Sequence, residues 1–325
     1  MRRCLLILCF IFMLSHVFAQ EGSSGYEFLK IPVSVHSAAL GGNNVSIIED
    51  DITLAYTNPA LLSNISSTCL NFDYLSYVAG TNKLSATLGK LHGKRGAWVV
   101  GVQVLNYGSM TETTDGGVEI GDFSASDIAL QGGYSYLFNE RWSGGAVGKV
   151  LLSNYGEFSS TALAVDLGVN YYNEEKGFSI GLVAQNLGGQ IDALYEKTEK
   201  LPFNLVLGLS KDLNNAPIRL SVTLSDLTHW SEDYYYVFVG KKQNLCKRLF
   251  NHLSVGADIF PSSTTWLAIG YNFRRANEME IIDDSHWAGL SLGGGLAIKK
   301  FNIGVAYGKY HVGASSIMVN ATYKF

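Results

Sequence analysis

The 325-residue chain predicts an all-β fold, a 14-stranded antiparallel outer-membrane β-barrel with an N-terminal hatch, or plug, inside it. Three observations point there. Apolar residues recur at every second position in run after run, the long connections between those runs fall on alternate turns, and the last run ends the chain on Phe325. Composition agrees, with 47% hydrophobic and 16% charged residues, 5 Pro, 35 Gly, 16 Phe and 18 Tyr, the balance of strands with aromatic borders rather than of a disordered or helical chain. A formal charge of -4 without a block of like charges offers nucleic acid no electrostatic footprint.

Residues 1–19 read as a signal peptide. Arg2 and Arg3 precede an apolar run from Leu5 to Phe18, and Val17-Phe18-Ala19 offers a cleavage site before Gln20. The run falls short of the roughly 20 residues of a membrane-spanning anchor, and Leu8 is too large for the position before a lipidated Cys9. Cys4 and Cys9 leave with this segment. Cys69 and Cys246 remain, in a compartment that permits disulfides, and both are expected as free thiols. Residues 20–67 show no sustained alternation and are expected to form the hatch, with residues 68–325 as the barrel.

The barrel strands follow from period two. Leu163, Val165, Leu167, Val169 and Tyr171 alternate with Ala162, Ala164, Asp166, Gly168 and Asn170, and Ile218, Leu220, Val222 and Leu224 alternate with Arg219, Ser221, Thr223 and Ser225. Such runs predict strands at 68–77, 82–89, 97–106, 124–136, 142–153, 161–172, 177–187, 203–211, 217–226, 250–259, 264–273, 286–298, 300–310 and 315–325. Every second connection is short, and the long ones, 107–123, 188–202, 227–249 and 274–285, all fall in the other set. A barrel crossing the outer membrane has short periplasmic turns and longer external loops, whereas a soluble Greek-key sandwich has no reason to sort its loops. Ile317, Val319, Ala321, Tyr323 and Phe325 then form an aromatic-ended last strand, and Trp98, Tyr134, Tyr136, Trp142, Trp266, Trp287 and Tyr323 fall near strand ends, where girdles belong. The opposite faces are small: Ser179, Gly181, Gly208, Ser210, Ser291, Gly293, Gly295, Gly304, Ala306 and Gly308 would let a plug pack against the wall, where a water-filled porin would carry charge.

No chemical motif survives inspection. Gly177-Phe178-Ser179-Ile180-Gly181 and Gly289-Leu290-Ser291-Leu292-Gly293 match the serine-hydrolase pattern, which needs a strand-to-helix turn, but both fall inside predicted strands. Gly144-Gly145-Ala146-Val147-Gly148-Lys149 lacks the spacing and hydroxyl of a phosphate loop, and no His or Cys pair has zinc spacing. Asp283-Asp284-Ser285-His286 reads as a solvated turn. A non-enzymatic protein is expected, with no catalytic residue, metal or cofactor. In external loop 227–249, Trp230, Tyr234, Tyr235 and Tyr236 stand beside Lys241 and Lys242. Aromatics next to cations suit a partner-binding surface, and equally an external hairpin that the lysines merely solvate.

The segments Tyr26-Glu27-Phe28-Leu29-Lys30-Ile31-Pro32-Val33, Ala38-Ala39-Leu40-Gly41-Gly42, Asp50-Asp51 and Tyr56-Thr57-Asn58-Pro59-Ala60-Leu61-Leu62 resemble the N-terminal signature of the PorQ and PorV family, outer-membrane barrels of the type IX secretion system. The resemblance extends through Asn186-Leu187-Gly188 and Gly270-Tyr271-Asn272-Phe273-Arg274-Arg275 to the terminal strands. Its Asn-Pro-Ala element is shared with FadL-type transporters, whose hatch plugs a fourteen-stranded barrel. The resemblance implies a hatch motif of Gly41, Gly42, Asp51, Asn58, Pro59 and Ala60. It further implies a role in the cell-surface attachment complex, anchoring a PorZ-like partner near PorU- and PorV-like proteins. The alternative is a FadL-like transporter of hydrophobic small molecules. On either reading the expected partners include outer-membrane lipid around the barrel and a lipid or detergent inside it. An apolar pocket at Asn58-Pro59-Ala60 and a kinked strand would favour transport; a filled lumen and an external aromatic surface would favour anchoring.

Overall fold

The computed structural model describes residues 25–114, 116–193, 198–230, 245–278, 287–311 and 314–325. The predicted signal peptide lies outside them. Fourteen strands follow an N-terminal segment: β1 (Cys69–Ser76), β2 (Asn82–His92), β3 (Gly96–Thr113), β4 (Glu119–Leu137), β5 (Trp142–Tyr155), β6 (Phe158–Asn173), β7 (Phe178–Asp192), β8 (Asn204–Asp212), β9 (Ile218–Leu224), β10 (Leu253–Ser262), β11 (Thr265–Asn272), β12 (Leu290–Ile298), β13 (Phe301–His311) and β14 (Ala314–Lys324). Each pairs antiparallel with its neighbours in sequence. β1 closes the sheet on β14, with Cys69 opposite Lys324 and Ser76 opposite Ile317. Closure removes the sheet edge, so the ladder satisfies strand N–H and C=O groups without water.

The pleat sorts the sequence as its alternation requires. In β6, Leu163, Val165, Leu167 and Val169 are 40–49% exposed on the outward face, while Ala162, Ala164 and Asp166 are buried inside. The outward row suits hydrocarbon; the inward row does not need to be apolar, because it meets the chain's own N-terminal segment. No described helix is long and apolar enough to cross a membrane.

Several elements differ from the sequence expectation. The predicted loop 107–123 is mostly sheet: β3 and β4 continue to Thr113 and Glu119. Its residues show no alternation because the end of this hairpin is exposed on both faces, so backbone pairing alone defines it. Parts of the long external connections are helical, as α2 (Leu245–Asn251) and α3 (Phe273–Glu278), and β12 begins at Leu290 rather than 286. Trp266 is not a girdle residue. It points inward and stacks on His36 with ring centroids 3.9 Å apart and planes at 4°. Tyr134, Tyr136 and Trp142 do stand outward at the short-turn rim.

Residues 25–66 occupy the inside of the barrel. They form 3-10 turns at Glu27–Lys30, Ile52–Tyr56 and Pro59–Asn64 and one short helix, α1 (Val35–Ala39). Val35, Ala39, Ile47, Ile52, Leu54, Leu61 and Leu62 are almost wholly buried. Leu54 and Leu61 join inward residues of the wall, Leu75, Leu105, Ala129 and Leu151, in one apolar cluster. This segment and the strands share a single core.

Candidate functional site

The residues expected to form a hatch motif are held by capping chemistry. Asp51 caps the turn Ile52–Tyr56: its Oδ1 accepts from the Thr53 N–H at 2.9 Å and the Thr53 hydroxyl at 2.7 Å, and its Oδ2 accepts from Ser34 Oγ at 2.9 Å. Ser34 in turn caps α1. Asn58 is extended, as a residue before proline must be, and caps Pro59–Asn64 with Pro59 at the first helical position. Its Oδ1 accepts from the Ala60 N–H at 3.0 Å while its Nδ2 donates to the Val45 carbonyl at 2.8 Å. Gly41 and Gly42 have φ of 103° and 112°, a region that a side chain would strain. They reverse the chain after α1, so that the Gly42 N–H reaches the Ser37 carbonyl at 2.9 Å.

These six residues do not converge on one pocket. Gly41 lies against β10 and β11, where Asn272 Nδ2 donates to its carbonyl at 3.0 Å, and Gly42 lies beside Arg275 of α3. Asn58, Pro59 and Ala60 lie against β4 to β7 and are fully buried. The wall there is glycine because the motif leaves no room for more. A Cβ on Gly168 would overlap the Asn58 carboxamide, one on Gly181 would overlap the Val45 carbonyl, and one on Gly145 would come within 2.6 Å of the Pro59 carbonyl. The inward serines act likewise: Ser291 Oγ donates to the Ala39 carbonyl at 2.9 Å, and the Ser46 and Ser210 hydroxyls are 2.7 Å apart. Ser179 and Ser291, the hydrolase-like serines, both lie within strands and so lack the required turn.

Charges inside the barrel, which sequence reasoning missed, tie the hatch to the wall. Asp258 on β10 takes His36 Nε2 at 2.7 Å on one oxygen and Arg219 Nε at 2.8 Å on the other; Arg219 Nη2 reaches Glu49 of the hatch at 2.8 Å. Lys83 Nζ donates to the Pro32 and Ile31 carbonyls at 3.1 and 3.3 Å, Gln185 Nε2 to the Thr57 carbonyl at 2.8 Å, and Lys324 pairs with Asp50 at 2.6 Å. In the sequence Arg219 is only the polar member of an alternating run and Lys83 carries no signal of its own; their partners are distant in sequence. A cavity of about 220 Å³ beside this network, lined by His36, Glu49, Asp51, Trp266, Asn302 and Lys324, opens towards the short-turn end. A second hollow, of about 650 Å³, lies outside, on the apolar face over Ala86, Val100, Leu130, Gly132 and Gly148.

The wall is irregular at β7. The β6–β7 register slips at Asp166, between Val165 and Leu167, and Asn186 takes φ 58°. Pairing with β8 ends at Gln185 opposite Asn204, although β7 runs on to Asp192. Asn186 holds the bulge: its N–H donates to Asp166 at 2.7 Å, its Oδ1 accepts from Lys149 at 2.9 Å, and its Nδ2 donates to the Pro202 carbonyl at 2.9 Å. Buried Leu201, beside Pro202, packs in the same cluster as Tyr26 and Phe28.

At the external end Trp230 is half exposed, donates from Nε1 to the Leu227 carbonyl at 2.6 Å and lies 4.1 Å from the His252 ring. Burial holds the His229 and His252 imidazoles below the usual histidine range. Tyr234, Tyr235, Tyr236, Lys241 and Lys242, and the Asp283-to-His286 cluster, lie outside the described residues. Cys69 and Cys246 are both free thiols. Among the described residues no group of three or more His, Cys, Asp or Glu is placed to hold a metal ion.

No protein-family model matches the chain, and no curated protein does. Solved structures match in fold. The Pseudomonas putida toluene transporter TodX superposes with a TM-score of 0.55 at 14% identity, over 90% of this chain and 97% of its own. The monoaromatic hydrocarbon channel CymD gives 0.56 at 15%, over 91% and 98%. A Pseudomonas aeruginosa FadL homologue gives 0.53 at 12%, over 90% and 98%. The fold is that of FadL-like outer-membrane barrels.

Proposed function

We propose that the chain is a non-enzymatic outer-membrane barrel that works through its external rim, as the component of a type IX secretion attachment complex that keeps a PorZ-like surface protein near PorU- and PorV-like partners. The observation that carries this reading is the close packing of the Asn58-Pro59-Ala60 segment inside the barrel. Asn58, Pro59 and Ala60 are seated against glycines with no space between motif and wall, so the motif builds the plug, and the working surface left is the outer end. The signature from Tyr26 to Leu62, through its resemblance to secretion-system barrels, supplies the partner class.

A second reading is passage of hydrophobic small molecules. The solved channels favour it over the first reading, since TodX and CymD are described as a toluene transporter and a monoaromatic hydrocarbon channel. The interrupted β7–β8 ladder favours it too, because a side exit needs such a gap in the wall. One experiment separates the two. The protein is purified from outer membranes in mild detergent and its companions, proteins and lipids, are identified by mass spectrometry. Co-purification of PorZ-, PorU- or PorV-like proteins is the expected result; a lone barrel with a stoichiometric hydrophobic ligand would replace the first reading with the second.

A further inference from the structure

Helix α2 is amphipathic in the inverted sense. Helical spacing places Leu245 beside Leu249 and Cys246 beside Phe250, so these four form one continuous stripe. In a water-facing helix such a stripe turns to the core. Here it turns away: Leu245 is 72% exposed, Leu249 48% and Phe250 46%. Arg248 and Asn251, on the opposite side, face the protein instead. Asn251 is buried and accepts from Asn277 Nδ2 at 2.6 Å, and Arg248 donates to the Trp230 carbonyl at 3.1 Å.

What covers the stripe follows from where it leads. Phe250 stands 5.0 Å from Phe273, which stands 4.9 Å from Tyr271. Tyr271 belongs to the outward row of β11 with Leu267 and Ile269, which are 51% and 47% exposed on the barrel's apolar face. The stripe of α2 therefore continues the lipid-facing belt beyond the external strand ends, where an exposed apolar helix face in water would be costly. We infer that α2 is an interfacial helix that seats its Leu245–Leu249–Phe250 face in the outer leaflet of the membrane the barrel spans. Its occupant is lipid, at the border of acyl chains and headgroups. The inference rests on the barrel spanning a membrane and on neither functional reading.

Cys246 sits on the same stripe and is exposed, whereas Cys69 is buried, so a thiol-reactive bimane reports on this face. The protein purified from membranes is labelled and reconstituted into phosphatidylcholine vesicles. Phospholipid carrying a nitroxide near the headgroup should abolish most of the bimane emission, and aqueous iodide should remove little of it. Quenching by iodide but not by the lipid nitroxide would overturn the inference. So would protection from both, which would mean that a second copy of the chain covers the stripe. The Leu245→Glu, Leu249→Glu double variant, checked for a closed barrel by its heat-modifiable gel mobility, should shift quenching from lipid to iodide. An unchanged ratio in a closed barrel would also overturn it.

Discussion

At the scale of single residues, the interior is a set of caps and close approaches. Asn58 holds two backbone groups at once, so Asn58→Ala removes a cap and leaves the buried Val45 carbonyl without that donor, at a cost of about 1–3 kcal/mol. Gly168→Ala pushes a methyl group into the same carboxamide and should cost a similar ~1–3 kcal/mol through overpacking. Urea unfolding in detergent, read by gel mobility, measures both; wild-type midpoints would mean that the motif is not held against the wall. His229 and His252 are kept neutral by burial, so their folded proton affinity is below that of the unfolded chain. As pH falls through the ordinary histidine range, the unfolded state takes up protons first and stability is lost. The external end should therefore loosen on mild acidification, seen as faster proteolysis of the 225–252 connection, and the effect should vanish in a His229→Gln, His252→Gln variant.

At the scale of elements, hatch and wall are joined by ions as well as by packing. Arg219 on β9 bridges Asp258 on β10 and Glu49 of the hatch. Arg219→Met should cost about 3–5 kcal/mol, because it strips a buried carboxylate of one of its two partners, whereas the double change with Asp258→Asn should recover part of that loss. Thermal melting of the three proteins in one detergent tests this; a double variant no better than the single one would show that Arg219 acts through packing. The elements also mark where sequence reading stops. Alternation revealed the strands wherever one face meets lipid and the other the hatch. It failed at the tip of the β3–β4 hairpin, where both faces meet water, and at α2 and α3, which are too short for a helical period to stand out from a loop.

At the scale of the molecule, a barrel filled by its own N-terminal segment presents lipid on its sides and partners or solvent at its two ends. If the external rim is the working surface, Trp230→Ala with Tyr234→Ala should leave gel mobility and barrel stability as they are. It should lower the amount of PorZ-like partner recovered with the protein at least severalfold. Undiminished recovery would move the interface away from this loop while leaving the fold untouched. An engineered disulfide or cross-link holding residues 198–203 to β7 should leave partner recovery unchanged under the first reading. It should block uptake of a hydrophobic substrate under the second.

The sequence by itself determined the strand number, the antiparallel order, the alternation of short and long connections apart from 107–123, and the inward glycines and serines against which the N-terminal segment packs, because each is a local period or spacing that membrane and plug impose on the strands in turn. The position of the hatch was legible only as a segment without alternation. The tertiary structure alone decided that Asn58 is held against Gly168 and Gly181, that Trp266 turns inward onto His36, that Asp258, Arg219 and Glu49 form one network, and that α2 faces outward. These contacts join residues that are tens to hundreds of positions apart, and barrel closure is what brings them together. No spacing along the chain encodes which distant partner a buried charge or a glycine will meet.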